Sequence, residues 1–323
     1  MLHEMNKYFI EQGHEAKVMI RQMHGTVPYM KNGMTHSREV EMVDNFEGVE
    51  IHMEGVIMYN KLFDWADVVI THLDRTGKAI NLCRNHEKKL IHLIHNTRYN
   101  SMIVDVNGKN QSCIYNADWV GADLNYKMQS CVFHPAVNYK DYQVEVTGDF
   151  ITLMNCFGPK GGQILIDIAK AMPDRNFIGM MGYGNQVVGT EKNIMYLDNT
   201  ADARAIYAKS RIVIMPSEYE SFGRVAIEAS ASGIPVVCST TPGLHESLGW
   251  GEKKKGAGVF IKNLSDISEW VAAIEKLDDP EYYKEIGDKG IKRAKEITKQ
   301  SKPELANMLK FVDKIRRERY YGE

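Results

Sequence analysis

At 323 residues, 44% apolar and 25% charged, the chain is long enough to bury two cores of ordinary size and has the composition of a soluble globular protein. Its formal charge of -2 at pH 7 gives no overall basic field for nucleic acid or an anionic membrane, and the runs at Lys253, Lys254, Lys255 and Arg316, Arg317, Arg319 read as solvated faces. No apolar stretch approaches the roughly 20 residues that span a bilayer, no signal-peptide pattern opens the chain, and Cys83, Cys113, Cys131, Cys156 and Cys238 lack zinc-ligand spacing and read as reduced thiols, which together suit a cytoplasmic protein.

In chain order, His3 to Gln12 has helical spacing through Met5, Tyr8 and Phe9 and closes at Gly13, and Ala16 to Arg21 is a short strand. Residues 22–60 are polar and Met-rich without a motif, and Val49 to His52 and Val56 to Tyr59 read as short strands. Asp64 to His72 gives turn then strand, Gly77 to Arg84 a helix start, and Lys89 to His95 a second strand ending beside Asn96 and Thr97. Cys113 to Val120 is strand and turn, Cys131 to Val137 a proline-containing exit, and Tyr139 to Gly148 a connector with no functional residue assigned, so a domain boundary falls near Pro135.

The second domain opens with the strand Phe150 to Asn155 and continues as CFGPKGGQILIDIAKAM, a glycine turn leading into a helix. Such a turn brings backbone N–H groups and Lys160 towards phosphate, though by itself it reads equally as a plain turn. Asn176 to Met180 is a strand with Gly182, Tyr183 and Gly184 in the loop after it, Asn193 to Leu197 a strand followed by Asp198 and Asn199, and Ala201 to Lys209 a helix. Beyond Ser239, Glu246 opens a helix, Gly258 to Lys262 is a last strand, and Ser265 to Leu277 and Glu281 to Ile297 are helices. A terminal helix, Pro303 to Tyr320, places Leu305, Met308, Leu309, Val312 and Ile315 at helical spacing.

The most informative stretch is RIVIMPSEYESFGRVAIEASASGIPVVCS, Arg211 to Ser239. Arg211 to Met215 reads as a buried parallel strand stopped by Pro216, Ser217 to Glu220 as a polar loop, Ser221 as the N-cap of a small-residue helix ended by Gly233 and Pro235, and Ile234 to Cys238 as a second strand. The loop then lies at the carboxyl end of a parallel strand, where open α/β sheets bind ligands. Glu220 sits in that loop and Glu228 about two turns into the helix, while Phe222 and Gly223 leave backbone N–H groups open to an anion. Phosphate beside two hydroxyl-accepting carboxylates suggests a sugar nucleotide; a solvated loop Glu and a helix Glu paired to a nearby cation is the plainer reading.

The run PSEYESFGRVAIEASASGIPVV resembles the E-x7-E signature of the GT-B retaining glycosyltransferases of the family-4 type. That resemblance implies an α/β fold of two Rossmann-like domains facing across a cleft, here residues 1–134 and 135–302, with 303–323 as a helix crossing back. It implies that Glu220 holds donor-sugar hydroxyls, Glu228 the ribose diol, and the backbone at Phe222, Gly223 and Arg224 the diphosphate. Lys160 would neutralise the leaving group, and Gly182, Tyr183, Gly184, Leu197 and Asp198 would line the nucleotide base. His95 would touch donor sugar or phosphate, with His72 the weaker candidate; either also reads as a structural histidine. Asn155 stands where the family more often has Arg, a departure that Arg224 would have to offset. The run LHEMNKYFIEQGHEAKVMI resembles the family's first helix and second strand, so a first strand and glycine loop are expected upstream and are absent from the sequence.

The expected activity is transfer of a sugar from a nucleoside-diphosphate sugar, with retention, without a metal or other cofactor, to an acceptor left open among glycan, lipid, small molecule, protein and modified nucleobase. A nucleotide-sugar-binding protein without efficient turnover, or a sugar-nucleotide epimerase of related fold, are the alternatives. Plain dinucleotide binding ranks last, since no GxGxxG follows a strand.

Overall fold

The structure, a computed structural model, describes residues 2–20, 26–31, 34–39, 43–53, 56–73, 76–95, 109–182, 184–251 and 256–321. Asn96, Thr97, Tyr183 and Lys253 to Lys255 lie outside the described residues. The chain divides into two compact units, Met1–Ala136 with Ser301–Glu323, and Val137–Gln300.

The first unit begins with α1 (Leu2–Glu11), β1 (Lys17–Ile20), β2 (Thr26–Lys31), β3 (Met34–Glu39), β4 (Val43–Phe46) and β5 (Val49–Met53). It continues with α2 (Val56–Trp65), β6 (Val68–Thr71), α3 (Thr76–Asn85), β7 (Lys89–Ile94), β8 (Gln111–Tyr115), α4 (Asp118–Leu124) and β9 (Gln129–Val132). Strands β6-β7-β8-β9 form a wholly parallel sheet, β1-β5-β4 a second sheet, and β2-β3 an antiparallel hairpin. The central β7 is buried along its whole length, as a parallel strand covered on both faces must be. Met5 and Phe9 of α1 pack on Ile91, Leu93 and Ile114. β1 and β6 each end their sheet.

Two expectations fail in this unit. Val56 to Tyr59 opens a helix rather than a strand, because Tyr59, Leu62 and Phe63 recur at helical spacing and the last two are buried. Residues 26–39, read as motif-free, pair as a hairpin whose register runs from Thr26 opposite Glu39 to Lys31 opposite Met34. A largely polar sequence without apolar alternation leaves little signal of this kind.

The second unit runs β10 (Phe150–Leu153), α5 (Gly162–Ala171), β11 (Phe177–Met180), β12 (Ile194–Leu197), α6 (Arg204–Tyr207), β13 (Ser210–Met215), α7 (Arg224–Ala231), β14 (Val236–Ser239), α8 (Pro242–Leu248), β15 (Val259–Ile261), α9 (Ile267–Lys276) and α10 (Pro280–Arg317). Its six strands are all parallel in the order β12-β11-β10-β13-β14-β15. The chain therefore winds outward from β10 to β12, returns to β13 and winds out the other way. The order reverses between β10 and β13, and that is where such sheets leave a crevice at their carboxyl edge. Ile151, Leu153, Leu165, Ile168, Phe177, Ile212, Ile214, Val237 and Trp270 fill the core.

The two C-terminal helices expected from the sequence are one, with Pro303 inside α10. Proline removes a helical hydrogen bond there, but apolar positions on both sides hold the helix, with Ala294 and Ile297 buried before it and Met308 and Ile315 after it. Residues up to Gln300 belong to the second unit and those from Ser301 to the first.

Candidate active site

At the reversal point the two flanking loops are tied together. The turn after β10 carries Lys160, and the loop after β13 carries Glu220; Lys160 Nζ lies 2.6 Å from Glu220 Oε1 and also donates to the Tyr219 carbonyl at 3.2 Å. Ser217 Oγ donates to the same Glu220 oxygen at 2.9 Å, and the Glu218 N–H donates to the Pro159 carbonyl. Glycine is required by close approach on both sides. A Cβ on Gly161, at φ +97°, would fall 2.2 Å from Pro216 Cγ, and one on Gly243 would fall 2.3 Å from the Glu220 carbonyl oxygen. The glycine turn, the β13 loop and the start of α8 thus pack into one edge.

α7 begins later than the sequence suggested. Its N-cap is Gly223, in the left-handed region at φ +76°, not Ser221, and no side chain caps it. α5 is likewise capped by Gly161 without a side-chain hydrogen bond. Glycine takes these positions because positive φ is costly for other residues. The outcome is two helix starts beside Lys160 and Glu220 whose first N–H groups no N-cap side chain covers. Phe222 is buried and anchors the turn before α7.

Glu228 lies inside the unit, 8% exposed. Arg224, one turn earlier on α7, ion-pairs with its Oε1 at 2.6 Å, and the Tyr207 hydroxyl donates to its Oε2 at 2.8 Å. Arg224 Nη2 in turn donates to the Tyr142 hydroxyl at 2.6 Å. Burial works against the Arg224 charge, but Glu228 and Tyr142 beside it prevail and raise its pKa above the ordinary value. Burial first, and the Glu228 charge second, push the Tyr207 hydroxyl far up and the Tyr142 hydroxyl up, so both stay protonated.

Arg224 is thus paired with Glu228 and Tyr142, and Lys160 with Glu220 and Tyr219. Asn155 stands where the resemblance more often has Arg. Asn155 accepts from the Phe157 N–H at 2.9 Å and packs where a side chain on Gly182 would be. Both carboxylates are ion-paired within the chain, as a purely structural role would also have them; their place at the reversal point distinguishes them.

The remaining expected base-side residues lie on the same sheet edge, Gly182 and Gly184 after β11, Leu197 at the end of β12 and the exposed Asp198 just past it. Gln186, which the sequence did not single out, braces this loop: its Oε1 accepts from the Gly182 N–H and its Nε2 donates to the Gly184 carbonyl, both at 3.0 Å. Tyr142 and Tyr207 were missed as well. Tyr142 sits in the segment read as a bare connector, in a short 3-10 turn, Tyr139–Tyr142, and a tyrosine there carries no spacing signal.

In the first unit, His72 and His95 follow the carboxyl ends of the paired strands β6 and β7. Their rings meet edge to face at 5.4 Å. Burial, with His72 as the lesser cause, lowers the His95 pKa to about 4, and its Nε2 is buried without a hydrogen-bond partner among the described residues. Among the described residues no helix is long and apolar enough to cross a membrane.

Residues 186–293, about a third of the chain, match the family model described as glycosyl transferases group 1. The chain is 31% identical over 156 residues to a D-inositol 3-phosphate glycosyltransferase of Corynebacterium glutamicum, covering 42% of this chain and 36% of that protein. It is 28% identical over 136 residues to an MMP alpha-(1->4)-mannosyltransferase of Mycolicibacterium hassiacum, covering 42% and 31%. The chain therefore spans about a third of the length of these curated relatives. Among solved structures it is similar to a sucrose-phosphate synthase of Thermosynechococcus elongatus, with TM-score 0.71 and 15% identity over 97% of this chain and 92% of that one. It is also similar to a glycosyltransferase of Rickettsia africae, with TM-score 0.66 and 15% identity over 98% and 94%. A third is Anabaena HepE in complex with UDP-glucose, with TM-score 0.64 and 17% identity over 81% and 85%. Identities this low speak for fold alone. The fold is α/β with parallel sheets, like that of these GT-B glycosyltransferases, and residues 186–293 match the glycosyl transferases group 1.

Proposed function

We propose that this chain is a retaining glycosyltransferase of the family-4 type that takes its sugar from a nucleoside-diphosphate sugar without a metal ion. The observation that carries this reading is the Lys160–Glu220 pair at the strand-order reversal of the second unit, between two glycine-capped helix starts. As a staple it contributes little: both side chains keep some exposure, 31% and 13%, and a pair of that kind contributes at most about 1 kcal/mol. As a binding element it fits a diphosphate and a sugar at once. The ammonium has three N–H donors, of which Glu220 and Tyr219 take two, so one is left for a phosphate oxygen.

In this reading Lys160 and the starts of α5 and α7 stabilise the charge that builds on the departing diphosphate, which is electrostatic preorganisation. Glu220 accepts from donor-sugar hydroxyls and thereby orients the anomeric carbon, and Glu228 accepts from the ribose diol. The loop at Gly182, Gly184, Leu197 and Asp198 meets the base. The acceptor attacks from the face that the nucleotide leaves and passes its proton to the released phosphate oxygen, so no protein nucleophile is needed. His95, which burial keeps neutral at neutral pH, is proposed to contact donor sugar or phosphate. A binding protein without turnover is the second reading, favoured by Asn155 where a cation would help the leaving group.

The test is a thermal-shift and donor-hydrolysis screen with UDP-, GDP- and ADP-sugars, with and without EDTA. Stabilisation by one donor, slow nucleotide release unaffected by EDTA, and an α-anomeric product from an α-linked donor are expected. Stabilisation without release would favour the binding protein, and loss of release in EDTA would remove metal independence.

A further inference from the structure

A carboxylate offers about four acceptor positions, two on each oxygen. In the buried Glu228 one position on each oxygen is already taken, Oε1 by Arg224 at 2.6 Å and Oε2 by the Tyr207 hydroxyl at 2.8 Å. The Tyr142 hydroxyl also hydrogen-bonds to Glu228, so about one acceptor position is left, enough for one ribose hydroxyl. We propose that Tyr207, Arg224 and Tyr142 are positioning residues that set Glu228 as an acceptor for the nucleotide ribose. Arg224 then acts on the ribose side and not on the leaving group. The assignment rests on the reading of Glu228 given above.

Three further contacts support it. Tyr207 is fully buried, so its hydroxyl has no water to serve and a single rotamer to hold. The Tyr142 ring packs edge to face on it, with centroids 6.4 Å apart. Tyr142 also accepts from Arg224 Nη2 at 2.6 Å, and the guanidinium carbon lies 5.9 Å from its ring centroid, so the connector segment fixes the cation that fixes the carboxylate. Burial and then Glu228 raise the pKa of both tyrosines, so Tyr207 stays a donor at neutral pH. The groups facing Glu228 are therefore Arg224 on its own helix, Tyr207 on α6 and Tyr142 in the connector.

The experiment compares the binding of UDP, GDP and ADP with that of their 2′,3′-dideoxy counterparts, in the full chain and in Tyr207→Phe, Tyr142→Phe and Arg224→Lys, together with donor-hydrolysis kinetics. A hydrogen bond to a charged group contributes on the order of a tenfold change in binding. Tyr207→Phe and Arg224→Lys are therefore expected to weaken the ribonucleotide about tenfold and the dideoxy form less than about twofold, and to raise the donor KM with kcat nearly unchanged. Tyr142→Phe keeps the ring and removes the hydroxyl's contacts with Arg224 and Glu228, so an effect of the same selectivity is expected. Equal weakening of both nucleotides, or a fall in kcat at unchanged KM, overturns the assignment while leaving Glu228 as ribose acceptor. A wild type that does not discriminate ribose from dideoxyribose overturns both.

Discussion

Glu228 is the residue on which the second unit depends most. Its carboxylate is buried, and removing it leaves a half-buried guanidinium and a fully buried Tyr207 hydroxyl without their acceptor. Such an orphaned pair costs far more than the pair itself is worth. Glu228→Ala is expected to lower unfolding free energy by about 3 kcal/mol, read by urea denaturation, whereas Glu228→Gln, which keeps an acceptor, should lose about half of that. Equal stability of Glu228→Ala and wild type would mean that Arg224 and Tyr207 find other partners. Glu220 and Glu228 were legible in the sequence because two carboxylates interrupt a small, apolar strand–helix–strand pattern. Tyr142, Tyr207 and Gln186 were not, since a tyrosine that closes a short helix and one in a connector meet only through the packing of α7 on both.

At the scale of elements, the parallel strands of both units could be read from short β-branched runs stopped by Pro, Ser or Gly, as Arg211 to Met215 and Lys89 to Ile94 were. Errors fell where pattern and burial part company. The hairpin β2-β3 has no alternating apolar face to announce it, and α2 begins in a run that is equally apolar as a strand. The start of α7 was set too early because Ser221 is a good cap by type, whereas the positive φ of Gly223 decides where the helix begins. Close approach of elements gives a test of its own. A methyl group on Gly243 would meet the backbone of Glu220 and Ser221 at 2.3 to 2.6 Å, and backbone cannot swing aside as a side chain can. Gly243→Ala is expected to displace the Glu220 loop and lower donor hydrolysis at least about tenfold, since small misplacements are felt strongly in catalysis. Gly13→Ala, with open space around the site but a φ of +85°, should cost about 1 kcal/mol of stability and leave hydrolysis unchanged. Unimpaired hydrolysis in Gly243→Ala would detach α8 from the site.

At the scale of the whole molecule, two compact units share one long helix, and each has its own parallel sheet. The first unit should be the acid-sensitive one. His95 takes up a proton near pH 6.5 when the chain is unfolded and only at about 4 when folded, so between those values the unfolded state holds the more protons. Stability is then highest above pH 6.5 and falls as the pH drops towards 4, by up to about 3 kcal/mol, with buried His92 acting in the same direction. His95→Asn should flatten that slope in unfolding measured across pH 4 to 7, and an unchanged slope would show that His95 is not the titrating group.

In the proposed reading the carboxyl edge of the second unit, at the β10–β13 reversal, binds a nucleoside-diphosphate sugar through Lys160 and Glu228. The most direct test is calorimetric titration of the preferred donor into wild type, Lys160→Met and Glu228→Gln. Saturable binding by the wild type, weakened about tenfold or more in each variant, is the predicted result. Equal affinity in all three proteins would contradict the claim and move the donor away from this edge.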